Sequence, residues 1–259
     1  MFRYPTLSPS EYLAFYEKAS SGVWDGDESR RNDLATIYAY LKDHPGGSIL
    51  DIGCYTGGFL AGLPGKFEKY GVEPSSLASD RALSKGINIH GKTLSDLDPK
   101  MVFDVVVSID VIEHVLDVET FLVDALTHVG KNGLLLISTG NPDTFFWKRI
   151  FKSKFWYSSY AEHLTFPSYK YFCEFSKRRN LHLPELICFK YTNFHLRGLL
   201  FGVLRQFLFA ISPAKYSALI KLFRRLRGDT APMVADIPMG APGIFRDHHV
   251  IVFRKSALQ

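Results

Sequence analysis

Cysteine is scarce: Cys54, Cys173 and Cys188 are the only three in 259 residues, and their spacing fits neither a disulfide framework nor a zinc pattern. Reduced thiols are therefore expected. Long apolar runs are also lacking. The most apolar stretch, residues 196–211, is interrupted by Arg197 and Arg205 and falls short of the roughly 20 apolar residues that a spanning helix needs. The opening Met1-Phe2-Arg3-Tyr4-Pro5 has no unbroken apolar core of the secretory type, which makes a cytoplasmic location the expectation. Internal repeats and low-complexity tracts are missing too.

Acidic residues are absent from one segment. Residues 186–228 carry eight basic side chains (Lys190, Arg197, Arg205, Lys215, Lys221, Arg224, Arg225 and Arg227) and no acidic one. Without them the net charge of +5 becomes negative, with 23 basic residues against 26 acidic. The basicity thus belongs to one surface rather than to the whole protein.

What is present is a core-sized chain, 46% hydrophobic, whose patterning changes along its length. Residues 1–44 are expected to form an N-terminal helical cap. Its first helix is opened by Ser8-Pro9-Ser10-Glu11, and a second over 28–42 is stopped by His44-Pro45-Gly46-Gly47. Residues 45–191 read as the core. Short apolar runs at 48–52, 69–72, 87–90, 102–109 and 134–138 alternate with helical patterns, as in a parallel sheet with crossover helices. A helix over 168–179 and a strand over 186–191 follow. Residues 192–246 read as a basic amphipathic insertion of two helices, divided at Ser212-Pro213, and a loop rich in Gly and Pro; 247–259 supply the last strand (248–253) and a tail.

The strongest local signal is Ile49-Leu50-Asp51-Ile52-Gly53-Cys54-Tyr55-Thr56-Gly57-Gly58, a strand ending in a glycine-bearing turn. Such a turn lets backbone approach a nucleotide closely, although an ordinary strand-to-helix turn can share the pattern. A dinucleotide fingerprint would place glycines at 53, 55 and 58, the middle one small because pyrophosphate packs on it. Tyr55 occupies that middle position. It argues against a nicotinamide enzyme and for a phosphate-free cofactor whose amino-acid tail lies over the turn, with Asp51 serving its ammonium group. Glu73, in Gly71-Val72-Glu73-Pro74, follows Asp51 by 22 residues at a strand end, where a carboxylate can accept from both ribose hydroxyls.

A third signal is Phe103-Asp104-Val105-Val106-Val107-Ser108-Ile109-Asp110-Val111-Ile112-Glu113-His114, a hydrophobic strand that runs into ionisable residues. Ligands of open α/β sheets sit at the carboxyl ends of strands, so this cluster should face the site. With Asn141-Pro142, Trp156-Tyr157 and Glu162-His163-Leu164, the ordered set over roughly residues 45–182 resembles class I S-adenosylmethionine-dependent methyltransferases. The resemblance is to the broad group that includes ubiquinone-biosynthesis O-methyltransferases and sugar and natural-product methyltransferases. It implies a Rossmann-like, mostly parallel seven-stranded α/β sheet with helices on both faces, the helical cap in front and the helical insertion before the last strand. It implies S-adenosyl-L-methionine as cofactor, held by Asp51, Gly53, Tyr55, Gly57, Glu73, Ser108 and Ile109, with Thr93 and Leu94 near the adenine. Tyr55 departs from the glycine common at its position.

Methyl transfer from a sulfonium depends largely on positioning, and a dry enclosure favours it. Tyr12, Tyr16, Trp24, Phe145, Phe146 and Trp156 are candidates for a lid or for plain core. A hydroxyl acceptor also needs a base, for which His114 and His163 are the candidates, beside Glu113. No metal is expected. Glu113, Glu162 and His163 form an alternative donor set, but one without clear ligand spacing.

The resemblance points to a small-molecule or glycan hydroxyl, a saccharide first, with a quinone-type or lipid-linked acceptor as the alternative. A nicotinamide-dependent oxidoreductase and a non-catalytic cofactor-binding scaffold are the competing classes. The apolar and basic segments 145–160 and 195–227 suit peripheral contact with the inner membrane surface, a homodimer contact, or a solvated helical cap. Nucleic acid is not expected, because no stacking or groove-reading motif accompanies the basic residues.

Overall fold

A computed structural model describes residues 31–160, 162–190, 196–226 and 246–256. The first helix of the expected cap, with Tyr12, Tyr16 and Trp24, and the loop over 228–245 lie outside the described residues. Helix α1 (Asn32–Leu41) is the second cap helix. Seven strands follow: β1 (Gly47–Ile52), β2 (Phe67–Val72), β3 (Asn88–Ile89), β4 (Phe103–Ile109), β5 (Val129–Gly140), β6 (Glu185–Phe189) and β7 (His248–Arg254). They form one sheet in the order β3-β2-β1-β4-β5-β7-β6. β1, β2, β3, β4 and β5 pair in parallel, and β7 runs antiparallel between β5 and β6. The chain therefore has the Rossmann-like, mostly parallel seven-stranded fold expected of it, and every expected strand is present.

The period of two explains why both faces are covered. Val105, Val107, Leu134, Leu136, Val250 and Val252 point to one side, where Leu34, Ile37 and Leu41 of α1 and Phe59 and Leu60 of the short α2 (Gly58–Gly62) pack. Val106, Leu135, Ile137, Ile251 and Phe253 point to the other, against Val118, Leu122 and Ala125 of α4 (Val118–Thr127) and Phe172 and Phe175 of α5 (Tyr169–Arg178). Helix α3 (Ser76–Ser84) adds Ala82 to the first face. Each such side chain contributes about 2 kcal/mol by leaving water, which makes β4 and β5 the centre of the molecule.

Two features exceed the expectation. β5 begins at Val129 rather than near 134, because its pairing with Phe103 survives a register shift before the ladder resumes at Val105. Between β5 and α5 the aromatic stretch builds a satellite core: Trp147, Phe151, Phe155, Trp156, Tyr157, Tyr160 and Phe166 are buried together around a π-helical turn, Phe146–Phe151. Gly140, at the end of β5, admits this core. A Cβ there would stand 2.5 Å from the Tyr157 ring.

The insertion forms α6 (Leu196–Ile211) and α7 (Pro213–Leu226), the two helices expected around Ser212-Pro213. α6 docks on the satellite core: Phe207 meets Phe151 edge-on, and Gln206 accepts from the Trp156 backbone N–H at 3.1 Å while donating to the Lys154 carbonyl at 2.9 Å. Leu204, Phe207, Leu208 and Ile211 recur at helical spacing and are exposed, as are Leu219, Leu222 and Leu226 of α7 and Phe145 and Ile150 of the aromatic stretch. Among the described residues no helix is long and apolar enough to cross a membrane.

Candidate functional site

The turn after β1 is tied to the end of β2. Gly53 and Cys54 N–H donate to the Val72 carbonyl at 2.9 and 3.1 Å. Gly53, Tyr55 and Gly57 all have φ in the left-handed region, at 75°, 48° and 71°. Gly57 is obligatory for a second reason: a Cβ there would come within 2.1 Å of Ile87. Tyr55 bears a side chain in a conformation that costs about 1 kcal/mol or more. What holds it is Glu73, whose carboxylate accepts the Tyr55 N–H at 2.9 Å on one oxygen and the Ser75 N–H at 2.9 Å on the other. Glu73 thus shapes the turn, and each of its oxygens keeps a second lone pair for a hydroxyl donor.

Asp51 is the unbalanced group. It is buried on β1, and its Oδ1 has no hydrogen-bond partner. Burial and the nearby Glu73 carboxylate raise its pKa well above the usual range, against the pull of Arg31. Burial likewise raises Glu73, against its two backbone donors. A cationic ligand relieves such a site, and the ammonium of an amino-acid tail suits it. Ser108, one strand away by the pairing of Ile52 with Ser108, is also buried with an unsatisfied hydroxyl. Ile109 closes β4, half-buried, and Thr93 caps a 3-10 turn (Leu94–Asp96) in which Leu94 is buried beneath the same edge. The donor set fits S-adenosylmethionine: an orphaned carboxylate for a cation, a second carboxylate for hydroxyls, and a left-handed glycine turn beside them.

The ionisable cluster sits at the carboxyl ends of β4 and β5. Glu113, in a 3-10 turn (Ile112–His114), is fully buried and accepts from the hydroxyls of Thr139, at 2.9 Å, and Tyr157. Burial and Asp110 push its pKa up to about 8. His114 Nδ1 bonds the Glu162 carbonyl at 3.1 Å, and His163 Nδ1 the Tyr157 carbonyl at 2.7 Å. A carbonyl only accepts, so each of these bonds is donated from Nδ1. Burial lowers His114 to about 4, against the carbonyls of Glu162 and Asp110. The two rings meet edge to face, 4.7 Å between centroids. Leu164 and Thr165 N–H clamp this segment onto the Glu113 carbonyl at 2.7 and 3.1 Å.

Several participants were not singled out in the sequence. Asp110, left-handed at φ 53°, accepts from Arg31 at 2.9 Å and from the Tyr157 hydroxyl at 3.2 Å. His248 and Asp247, at the start of β7, complete the group: Asp247 accepts from the Trp156 indole at 3.3 Å, and His248 lies 3.5 Å from it. Burial pulls His248 down, but Asp247, Asp110 and Asp33 outweigh it and leave the imidazole raised. The sequence signal was available, since two adjacent histidines in an otherwise apolar strand are unusual. Of the described lid candidates, Trp156 is core, Phe146 packs partly buried against that core, and Phe145 is exposed.

A β3-β2-β1-β4-β5-β7-β6 sheet with this turn and these carboxylates defines a class I S-adenosylmethionine-dependent methyltransferase. Residues 27–186 match the family model described as methyltransferase domain, more than half of the chain, and the chain belongs to that family. Among curated relatives, it is 31% identical over 150 residues to the ubiquinone biosynthesis O-methyltransferase of Rickettsia akari, covering 50% of this chain and 59% of that one. It is 33% identical over 174 residues to the enzyme of the same name from Bradyrhizobium sp., covering 55% and 65%. The matches thus span less than two thirds of the relatives' length. In fold it is similar to a SAM-dependent methyltransferase from Archaeoglobus fulgidus (16% identity, 94% and 99% of the two chains, TM-score 0.53). A SAM-dependent methyltransferase from Thermotoga maritima aligns equally well (17%, 95% and 92%, TM-score 0.53).

Proposed function

We propose that this protein transfers the methyl group of S-adenosylmethionine to a hydroxyl oxygen of a small acceptor of the quinone-precursor type. The observation that carries the reading is the convergence of Glu113, His114 and His163 at the carboxyl end of β4, beside the strand that bears Asp51. The cofactor supplies an already activated methyl group, so the chain's task is to dock an oxygen nucleophile and take up its proton. Asp51 and Glu73 hold the cofactor end. In this reading His114 or His163 takes up the proton of the acceptor's O–H, and the satellite core, which packs Tyr157 against His163, helps to exclude water. The names of the curated relatives favour an aromatic hydroxyl over the saccharide that the sequence reading placed first.

A membrane surface as the place of work follows from the insertion. Exposed Leu204, Leu208, Ile211, Leu222 and Leu226 lie in a segment free of acidic residues, and apolar insertion reinforces cationic attraction at anionic lipid. The test of the acceptor is transfer of labelled methyl to a panel of dihydroxybenzoid compounds, monosaccharides and nucleotide-sugars, with the product bond located by mass spectrometry. Transfer confined to the benzoid hydroxyls is the expected result; transfer to a sugar, or to nitrogen, overturns it.

A further inference from the structure

We propose that Gln206 of α6 is a positioning residue for proton uptake in the site, acting through the Trp156-Tyr157 segment. Burial marks the inner face of α6: Gln206 and Phe209 are buried and Val203 and Ala210 half-buried, while Leu204, Phe207 and Leu208 are exposed. Gln206 is thus a polar side chain, 1% exposed, in an otherwise apolar stripe. Docking a helix does not call for an amide at such a position, and burying one costs free energy unless its groups are bonded.

Both ends of the amide are used, on one stretch of backbone. Oε1 accepts the Trp156 N–H at 3.1 Å and Nε2 donates to the Lys154 carbonyl at 2.9 Å, so the side chain brackets Phe155 as a neighbouring peptide would. Lys154 Nζ in turn donates to the Ala210 carbonyl at 2.7 Å, near the end of α6. The Trp156 indole, donating to Asp247 at 3.3 Å, holds the same residue through its side chain.

Tyr157, the next residue, reaches ionisable groups on several elements. Its hydroxyl bonds Asp110 at 3.2 Å and also Glu113. Its ring centroid lies 4.3 Å from that of His163 and 4.6 Å from that of His248. Its carbonyl accepts from His163 Nδ1 at 2.7 Å, which sets the plane of that imidazole. The backbone that Gln206 grips therefore leads directly into the residue that orients His163 and the Glu113 carboxylate. Where rate comes from positioning, displacing a reacting group by about an ångström costs up to about a hundredfold. The role in turnover rests on the O-methyl-transfer reading; the mechanical link from α6 to His163 does not.

The test compares variants of the full chain with the parent. Gln206→Leu removes both bonds at similar volume, whereas Phe207→Ala loosens α6 at its contact with Phe151 and leaves the bracket in place. The imidazole nitrogen resonances of His163, assigned in histidine-labelled protein by their loss in His163→Gln, are expected to move in Gln206→Leu and to stay in Phe207→Ala. Turnover at saturating substrates is expected to fall about tenfold in Gln206→Leu, with KM for S-adenosylmethionine within about twofold of the parent, and to hold in Phe207→Ala. Because Gln206→Leu leaves a buried N–H and a carbonyl unpaired and can unfold the chain, the isosteric Gln206→Glu provides a second measurement. Protonated, it reproduces both bonds; ionised, it repels the Lys154 carbonyl, so its turnover relative to the parent should fall as pH rises. His163 resonances unmoved in Gln206→Leu overturn the proposal, as do unchanged turnover in that variant, equal movement in Phe207→Ala, or a Gln206→Glu activity that tracks the parent at every pH. Movement of His163 in a protein that methylates no hydroxyl sinks the O-methylation reading and leaves the link standing.

Discussion

Arg31 donates to Asp110 at 2.9 Å, joining the start of α1 to the turn that follows β4. The same guanidinium bonds buried Asp33 through Nε at 3.1 Å, so one cation serves two carboxylates. Removing it deprives both of that partner and leaves Asp110, beside Glu113, with the Tyr157 hydroxyl and His248. Arg31→Ala is expected to lower unfolding free energy by about 1 kcal/mol, since the pair is partly exposed and screened. Urea titration measures this, and Asp110→Asn in the same chain should recover part of the loss. Equal losses in the single and double variants would deny the coupling.

Asp51 carries the opposite sign. With an unsatisfied oxygen and a raised pKa, it binds a proton more readily folded than unfolded. Stability of the cofactor-free protein therefore falls as pH rises from the ordinary carboxylate range through the raised folded value. Asp51→Asn should stabilise the cofactor-free chain by about 1 kcal/mol and weaken S-adenosylmethionine binding at least tenfold, a trade of stability for function. Calorimetry reads both quantities, and a variant that binds as tightly as the parent removes Asp51 from the cofactor site.

Tyr157 bridges the two acidic groups of the site through one hydroxyl. Tyr157→Phe keeps the ring that seats His163 and Trp147 but releases the Glu113 carboxylate. Cofactor affinity should hold while turnover drops about tenfold or more, equivalent to roughly 1.4 kcal/mol of activation energy. A parallel loss of cofactor affinity would show that the hydroxyl supports the whole pocket.

His249 tests the core rather than the site. It is buried between sheet and α5 near Phe172, and burial with the neighbouring His248 lowers its pKa to about 3. Between that value and the ordinary histidine range the unfolded chain binds more protons, so stability is lost as pH falls below about 6.5, by up to about 1.4 kcal/mol per unit. His249→Leu should flatten the dependence of the urea midpoint on pH between 6 and 4.5. An unchanged slope would assign acid sensitivity to other groups.

The insertion's surface is tested with vesicles. Sedimentation with anionic phospholipid at low salt is expected, weakened by added salt and by Leu208→Asp with Ile211→Asp, both at exposed positions on α6. Absence of binding at low salt removes the membrane contact, and a doubled mass in solution that the same pair abolishes would make the face a dimer contact instead.

Much of the fold is readable in the sequence because it depends on local periodicity. The alternation that buries Val105 and Val106 on opposite faces is visible in the strand itself, and Ser212-Pro213 marks the break between α6 and α7. Asp51, Glu73 and Glu113 are readable for a related reason: each lies at the end of an apolar run. The partners of those residues are not. Nothing near Glu113 announces Thr139 or Tyr157, and nothing at Tyr55 shows that Glu73 holds it in a left-handed turn. Such relations arise from the tertiary fold, which brings β5 beside β4 and β7 beside β5 and returns residue 164 to residue 113. The Glu162 side chain looked like a donor in the sequence, whereas its backbone carbonyl bonds His114.

That strand order also bears on how the chain is made. β5 has Leu134 paired with Arg254 and Gly140 with His248, partners contributed long after β5 itself is synthesised. Until residues 248–254 have left the ribosome, one edge of β5 has open amides and carbonyls along the apolar run 134–137, a template for pairing with other chains. Slow, long-range closure of this kind makes the nascent protein more vulnerable than the finished one. The basic insertion, emerging just before β7, therefore appears during the interval in which the growing chain most needs to be kept apart from its neighbours.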